Sequence, residues 1–339
     1  MHNKFMEISW LDLDQYANLA HQIKIDNASS NQYKQRYLNI DGQYYSGIVI
    51  AGPTASGKSA YASYLLDKLA TLARAHHLNN AKQLTVKPVI INADSVQVYN
   101  VLPKLSAQPQ DLEDHYLYNF LDIQYNYSSH QWLLDLRSLL VDNTDFFPII
   151  VGGTGFYINA LLSGIHPLPA RALNTPWDHM SLEECRILVQ QIDQSAAEQI
   201  KDHRRLIRFL DLYHNHNLHQ FKLPAPIKLI QRNFYKIFVT SKDIHSNINN
   251  RLLSDFQATV DEVEQLQSTL PNIHDQSFTA VYANLNKIIG YTEINLYLKK
   301  ELTRAQVIEN ICRRTYQYAK RQTTWFKKYY KPHLTICND

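Results

Sequence analysis

The chain has 339 residues, enough for about two domains with a sizeable core. Hydrophobic residues make up 45% and charged residues 19%, and no apolar run could span a bilayer, which indicates a soluble globular protein. The net charge of +3 excludes no class of partner. The three cysteines lack metal-ligand spacing and the N-terminus does not resemble a secretory signal, so we expect a reduced, cytoplasmic protein.

The first 45 residues form a polar, tyrosine-rich segment. Apolar residues recur there at roughly helical spacing between positions 11 and 23, with Ser9 as a suitable N-cap, so we predict one helix. We treat residues 1–45 as an N-terminal extension without an assigned role. The pattern changes at residues 48–50, where Ile-Val-Ile predicts a short buried strand.

A phosphate-binding loop directly follows this strand. The sequence GPTASGKS at residues 52–59 matches G-x-x-x-x-G-K-[ST] between a predicted strand and a predicted helix. In such a P-loop, successive backbone N–H groups and the helix N-terminus face phosphate oxygens. Lys58 supplies a mobile cation, and Ser59 supplies a hydroxyl ligand for Mg²⁺. The loop predicts phosphate binding, a requirement shared by kinases, ATPases and transferases with a diphosphate leaving group.

Two further predicted strands end in polar or glycine-rich turns. Residues 89–91 predict a strand that leads to Asp94, and residues 148–151 predict one that leads to Gly153 and Thr154. Strands that alternate with helices indicate a parallel α/β sheet, in which ligands bind at the carboxyl ends of the strands. From its position alone, Asp94 could hold Mg²⁺, accept a proton or simply close a turn.

Residues 167–232 have a different pattern, with prolines near both ends and helical periodicity between them. Ser181, followed three residues later by Glu184, forms a capping box that predicts the start of a helix. We predict a helical insertion over 167–232 in a core made of residues 46–166 and 233–335. The predicted fold class is α/β, a P-loop NTPase-like parallel sheet core with a helical insertion domain.

The C-terminal part of the chain is strongly basic. Between Lys299 and Lys331, ten basic residues are opposed by two acidic ones, a net charge of +8, and six aromatic residues are interleaved with them. A basic tract with stacking groups is suited to nucleic acid. A solvated helix face would explain the charges equally well.

Taken together, these motifs closely resemble the tRNA dimethylallyltransferase family. The resemblance covers about residues 47–330. The motifs, in the family's order, are GPTASGKS, ADSVQVY, HYLY, VGGTGFYINALLSG, RRLIRFLD, KIIGYTEI and YAKRQTTWF, which begin at residues 52, 93, 115, 151, 204, 287 and 318. The resemblance implies transfer of a dimethylallyl group from dimethylallyl diphosphate to N6 of adenosine 37 in tRNA, with Mg²⁺ as cofactor. We expect a monomer, because tRNA would cover much of the surface.

The resemblance also implies roles for individual residues. Asp94 corresponds to the general base, and Lys58, Thr154 and Arg251 correspond to groups that stabilise the departing diphosphate. The residues expected to bind the diphosphate are Gly52, Thr54, Ala55, Ser56, Gly57, Lys58 and Ser59, with Ser59 also expected to bind the metal. The residues expected to contact the tRNA anticodon stem-loop are Asp94, Ser95, Val96, Gln97, Thr154, Arg204, Arg205, Leu206, Ile207, Arg208, Lys287, Gly290, Tyr291, Thr292, Gln317, Lys320, Arg321 and Gln322.

The chain departs from the family pattern at several positions. Gln108 replaces a usual lysine, Asn247 and Tyr316 replace usual arginines, and Asp211 ends a motif that usually ends in glutamate. Three alternatives remain open at this point. An isopentenyltransferase for free adenine nucleotides would have little use for the basic C-terminal helix. A small-molecule kinase would need an arginine-rich lid, which we do not identify. A non-catalytic RNA-binding protein would not need to retain the four catalytic residues.

Overall fold

The computed structural model describes residues 38–40, 42–79, 86–166, 168–169, 171, 175–216, 225–269 and 279–338. The helix predicted between residues 11 and 23 lies outside these ranges. Two short strands, β1 (Leu38–Ile40) and β2 (Gln43–Tyr45), pair in antiparallel fashion just before the core. None of the helices in the described ranges is long and apolar enough to cross a membrane.

A six-stranded parallel sheet forms the centre of the larger structural unit, with strand order β5-β4-β6-β3-β7-β8. Its strands are β3 (Ile48–Ala51), β4 (Lys87–Asn92), β5 (His115–Tyr116), β6 (Phe146–Gly152), β7 (Tyr235–Ser241) and β8 (Leu334–Asn338). Every residue of β3 and β6 is buried, as expected for parallel strands covered on both faces. The predicted parallel α/β core is confirmed, and the carboxyl ends of β3, β4 and β6 meet at one edge.

The helices that we number in chain order pack around this sheet or form the smaller unit. They are α1 (Lys58–Asn79), α2 (Ser129–Asp142), α3 (Gly155–Ser163), α4 (Leu182–Ile192), α5 (Gln194–Gln199), α6 (His203–His216), α7 (Ile244–Thr269), α8 (Thr279–Leu285), α9 (Tyr291–Leu298) and α10 (Arg304–Tyr329). The sheet strands and α1 share one apolar core. Helices α7 to α10 share a second core, which also includes Val98, Tyr99 and Leu102 from the loop after β4.

The chain divides into two compact units, one of Met1–Leu162 with Leu229–Asp339 and one of Ser163–Lys228. The smaller unit contains α4, α5 and α6, which bury their own apolar core, including Cys185, Val189 and Leu210. Helix α4 begins directly after Ser181, and both hydrogen bonds of the predicted capping box with Glu184 are present. The capping-box prediction is therefore confirmed.

The sequence does not predict two of the sheet strands. Strand β5 has only two residues, too few for a periodic pattern. Strand β8 follows the basic α10 helix and pairs in parallel with β7. Strand β7 in turn pairs with β3, the strand that leads into the P-loop, so β8 lies two strands away from β3. One consequence is that Asn338 of β8 reaches the phosphate-binding loop, as described below.

Candidate active site

A cavity of about 620 Å³ lies at the carboxyl edge of the sheet, within the larger unit. Its walls come from the P-loop, the loop after β4, and helices α7 and α10, together with the turn before α9. The residues that line it are Thr54, Ala55, Gly57, Lys58, Ser59, Ala60, Asp94, Ser95, Val96, Gln97, Leu105, Ser106, Ala107, Arg251, Lys287, Ile288, Ile289, Arg314, Thr315, Tyr318 and Arg321. The cavity therefore brings together most of the residues that the sequence predicts to bind diphosphate, and the predicted general base.

The P-loop connects β3 to α1 and has the backbone conformation that the motif predicts. Ala55 and Gly57 both have positive φ angles, of 60° and 84°, so the chain curls between the strand and the helix. Gly52 must be glycine, because a Cβ atom there would lie 2.2 Å from the carbonyl oxygen of Val239. Helix α1 begins at Lys58, and Lys58, Ser59 and Ala60 of its first turn line the cavity, so the positive end of the helix dipole lies at the cavity wall.

Three side-chain amides hold the P-loop from outside the cavity. The amide of Asn247 donates to the carbonyl of Ala55 at 3.2 Å, and that of Asn338 donates to the carbonyl of Ser56 at 2.6 Å. The Oε1 atom of Gln322 accepts a hydrogen bond from the backbone N–H of Thr54 at 2.8 Å. The Thr54 N–H therefore has an acceptor within the protein. Asn247, a departure from the family pattern, has a structural role here.

Lys58 is the cation of the P-loop. Its ammonium donates to the carbonyl of Pro53 at 3.2 Å. Burial of the ammonium lowers the pKa of Lys58 to about 8, although the residue as a whole keeps intermediate exposure. The negative charge of Asp94 raises this pKa and the positive charge of Arg251 lowers it. Lys58 is thus electrostatically coupled to two other residues that line the cavity.

Asp94 follows β4 and is fixed by a short network. Its backbone N–H donates to Oδ1 of Asn92 at 2.8 Å, and its own Oδ1 accepts from the N–H of Val96 at 3.0 Å. Burial raises the pKa of the hydroxyls of Tyr118, Tyr157 and Tyr318, and the nearby charge of Asp94 raises each further. The Asp94 carboxylate is therefore held in place at the cavity wall, among neutral tyrosine hydroxyls.

Thr154 lies in the turn between β6 and α3. Its hydroxyl accepts a hydrogen bond from the backbone N–H of Ser95 at 3.0 Å and donates to the Ser95 hydroxyl at 3.3 Å. Its own N–H donates to the carbonyl of Ala93 at 3.2 Å. Thr154 therefore joins the turn after β6 to the loop that carries Asp94.

Arg314 and Tyr318 line the cavity but are absent from the predicted site. An Nη1 atom of Arg314 donates to Oε1 of Glu293 at 2.5 Å, and Glu293 is only 6% exposed. The buried carboxylate thus orients the guanidinium. Arg314, Tyr318 and Arg321 are spaced i, i+4 and i+7, which places them on one face of α10. That spacing was the signal available in the sequence.

The remaining residues predicted to contact tRNA in the larger unit are exposed, line the cavity, or are buried or at a helix cap. Exposed on α10 are Gln317, Lys320 and Arg321, and Thr292 is exposed on α9. Gln97 lines the cavity and donates to the carbonyls of Ser106 and Ala107, and Lys287 also lines it. Gly290 caps α9, and Tyr291 is 3% exposed in the helical core, so its side chain is not available to RNA. Gln322 is also buried, at 5% exposure.

In the smaller unit, α6 carries the predicted stretch 204–208. Arg204 and Arg205 are exposed. Leu206 and Ile207 are buried in the core of that unit, so their side chains face away from solvent, and the tRNA contact at these two positions stays a prediction. The guanidinium of Arg208 bonds the fully buried Asp211 carboxylate and the carbonyl of Pro169.

The chain matches known proteins over most of its length. Residues 97–329 match the family model described as IPP transferase. A tRNA dimethylallyltransferase from Agrobacterium fabrum is 33% identical over 310 residues, which cover 85% of this chain and 95% of that protein. One from Wolbachia pipientis is 32% identical over 295 residues, covering 83% of this chain and 91% of that protein.

Two solved structures have similar folds. The tRNA isopentenylpyrophosphate transferase from Bacillus halodurans is 26% identical with a TM-score of 0.53, and the match covers 86% of this chain and 89% of that one. A eukaryotic dimethylallyltransferase acting on tRNA has a TM-score of 0.60 at 21% identity, covering 86% of this chain and 73% of that one, a likeness of fold alone.

Proposed function

Because this chain belongs to the IPP transferase family and matches tRNA dimethylallyltransferases across most of its length, we propose that it transfers the dimethylallyl group of dimethylallyl diphosphate to N6 of adenosine 37 in tRNA. The observation that carries this proposal is the shared cavity of the P-loop and Asp94. A diphosphate cradle and a carboxylate in one cavity provide a leaving-group site and a proton acceptor. Because a kinase also combines a phosphate cradle with a carboxylate, it is the match to tRNA dimethylallyltransferases that favours prenyl transfer over phosphoryl transfer.

In the proposed reaction, the N6 nitrogen of the adenine attacks C1 of the dimethylallyl group. The bond between C1 and the diphosphate oxygen breaks, and the diphosphate leaves with the bonding electrons. Asp94 accepts the proton that N6 loses. An exocyclic adenine amine is a poor nucleophile, so positioning and stabilisation of the leaving group should supply most of the rate. The target base must leave its stack to reach such a cavity.

The cations of the cavity are suited to the leaving diphosphate. Lys58 and Arg251 line the same cavity as the P-loop, and Arg314, oriented by Glu293, adds a further guanidinium. Charge that develops on the diphosphate in the transition state is stabilised most by donors that are already in place. We assign these three residues to the leaving group.

The cavity also offers oxygen ligands of the kind that Mg²⁺ prefers. The Ser59 hydroxyl and the Asp94 carboxylate both line it. We propose that Ser59 holds Mg²⁺ against the diphosphate, where the ion would neutralise part of its charge. Pyrophosphate should bind more tightly with Mg²⁺ than with EDTA, and Ser59→Ala should reduce that difference. Equal Mg²⁺ dependence in the variant would remove Ser59 from the metal site.

The direct test uses purified protein, unmodified tRNA with adenosines at positions 36–38, dimethylallyl diphosphate and Mg²⁺, followed by nucleoside mass spectrometry. The expected result is a five-carbon gain on one adenosine in tRNA and none when AMP is the only acceptor. Transfer to AMP but not to tRNA would identify an enzyme of free nucleotides. No transfer to either would overturn the proposal. We also propose that the protein acts as a monomer, which sedimentation at the assay concentration tests.

A further inference from the structure

Gln322 on α10 differs from the basic residues around it because its side chain points into the protein. The residue is 5% exposed, and both ends of its amide are hydrogen-bonded to backbone. Its Oε1 accepts from the N–H of Thr54 at 2.8 Å, and its Nε2 donates to the carbonyl of Gly153 at 2.9 Å. These partners lie 268 and 169 residues away in sequence. One side chain thus joins the P-loop to the turn after β6.

The chemistry of the contact requires an amide. A glutamate could still accept from Thr54, but its carboxylate could not donate to the Gly153 carbonyl. An apolar side chain of the same length would leave the Thr54 N–H and the buried Gly153 carbonyl without these hydrogen bonds. The close approach also requires glycine at position 153, since a Cβ atom there would lie 2.2 Å from Nε2 of Gln322.

The two loops that Gln322 joins carry different parts of the proposed chemistry. The P-loop holds the proposed diphosphate site, while the turn after β6 continues into Thr154, which is bonded to Ser95 next to Asp94. Since Gln322 lies on the helix that carries Arg314 and Tyr318, α10 also contributes to the cavity wall. A shift of one loop relative to the other would separate the leaving-group site from the general base.

We propose that Gln322 is a positioning residue that fixes the P-loop relative to the Gly153–Thr154 turn and thereby keeps the diphosphate site in its binding geometry. This inference rests on the proposed function. It replaces the prediction, made from sequence resemblance, that Gln322 contacts tRNA. A residue that contacts only RNA would not affect diphosphate binding when RNA is absent, whereas a positioning residue would.

The test measures binding of inorganic pyrophosphate with Mg²⁺ and without tRNA, by isothermal titration calorimetry. Gln322→Glu and Gln322→Met should each weaken binding by about tenfold or more, reflecting loss of one or two buried hydrogen bonds. The neutral Met variant controls for the added charge of the Glu variant. Gln265→Glu is a matched control, because Gln265 is exposed on α7 and does not line the cavity. We expect its pyrophosphate affinity to stay within about twofold of wild type.

A second readout follows the contact itself. Hydrogen exchange at the Thr54 amide should accelerate in Gln322→Met, because its acceptor is lost, and remain unchanged in Gln265→Glu. If the Gln322 variants do not fold, Gly153→Ala tests the same contact from its other side and should weaken pyrophosphate binding similarly.

The outcomes separate this inference from the proposed function. Wild-type affinity for pyrophosphate in the Gln322 and Gly153 variants, with weaker tRNA binding in the Gln322 variants, would make Gln322 an RNA contact and overturn the positioning role alone. Failure of the wild-type protein to bind pyrophosphate would overturn both.

Discussion

The hydroxyl of Thr154 accepts a 3.0 Å hydrogen bond from the backbone N–H of Ser95. This contact joins the turns that follow two adjacent strands, β6 and β4. Ser95 lines the cavity next to Asp94, whose Oδ1 atom is bonded to the N–H of Val96. Thr154 therefore helps to set where the proposed general base lies, in addition to any contact it makes with the diphosphate.

Thr154→Val removes the hydroxyl while keeping the shape of the side chain. The Ser95 N–H loses its acceptor, which costs about 1–3 kcal/mol and predicts roughly a tenfold to hundredfold lower rate of prenyl transfer. Thr154→Ser retains the hydroxyl and should stay within about threefold of wild type. Initial rates from nucleoside mass spectrometry provide the comparison. A fully active Val variant would show that this hydrogen bond is dispensable.

Asp94→Asn tests the general base. Asparagine retains an oxygen that can accept from Val96 but cannot take a proton from N6, so we expect kcat to fall by about 10²- to 10⁴-fold. Asp122→Asn is a matched control, because Asp122 makes the same type of contact with the N–H of Gln124. Its activity should not change. Single-turnover rates of prenyl transfer measure the effect, and comparable rates for the two variants would exclude Asp94 as the base.

The lowered pKa of Lys58, about 8, predicts a pH dependence of pyrophosphate binding. Below that pH the ammonium is charged and attracts the anion. Above that pH the Lys58 amine of the free protein is mostly neutral and must take up a proton when pyrophosphate binds. The affinity for pyrophosphate should therefore fall by up to about tenfold per pH unit. Because the charge of Asp94 raises the pKa of Lys58, Asp94→Asn should move the decline to lower pH.

Calorimetry from about pH 6 to pH 10 measures this decline. Lys58→Arg stays protonated throughout, so its profile isolates the titration of pyrophosphate itself. If the wild-type and Lys58→Arg profiles have the same shape, Lys58 does not titrate in this range. A shift to higher pH in Asp94→Asn would contradict the proposed coupling.

The sequence was sufficient to locate the P-loop and Asp94 because their signals are local. A glycine pattern between a strand and a helix, or an acid at the end of a buried strand, can be recognised in a few neighbouring residues. The amide contacts to the P-loop are not local, since Gln322 and Asn338 lie 268 and 282 residues from their partners. No periodicity or composition encodes such a contact, and it becomes visible only once the fold is known.

Leu206 and Ile207 show where helical periodicity adds to a family motif. The resemblance predicts RNA contacts at both residues because they lie inside a family motif. Their apolar character and their spacing relative to Leu210, one helical turn later, already indicate the buried face of an amphipathic helix. Helical periodicity, applied within the motif, separates them from the exposed Arg204 and Arg205.

Arg204 and Arg205 are proposed to contact tRNA phosphates. Replacing both with alanine should weaken binding to tRNAs of every sequence to a similar extent. The slope of the logarithm of the tRNA binding constant against the logarithm of the salt concentration should become less steep by about two. Pyrophosphate binding should not change, because these residues do not line the cavity. Fluorescence titrations of tRNA at several salt concentrations measure the slope.

Arg208 lies on the same helix as Arg204 and Arg205, but its guanidinium is bonded within the protein. Its guanidinium bonds the buried Asp211, so Arg208→Ala removes a charged hydrogen bond to a buried carboxylate and should destabilise the smaller unit by about 1.5–3 kcal/mol. Arg204→Ala with Arg205→Ala should leave thermal stability unchanged, because both side chains are exposed on α6. The opposite pattern, with stability lost in the double variant and an unchanged salt slope, would assign these two arginines to the fold and remove them from the RNA interface.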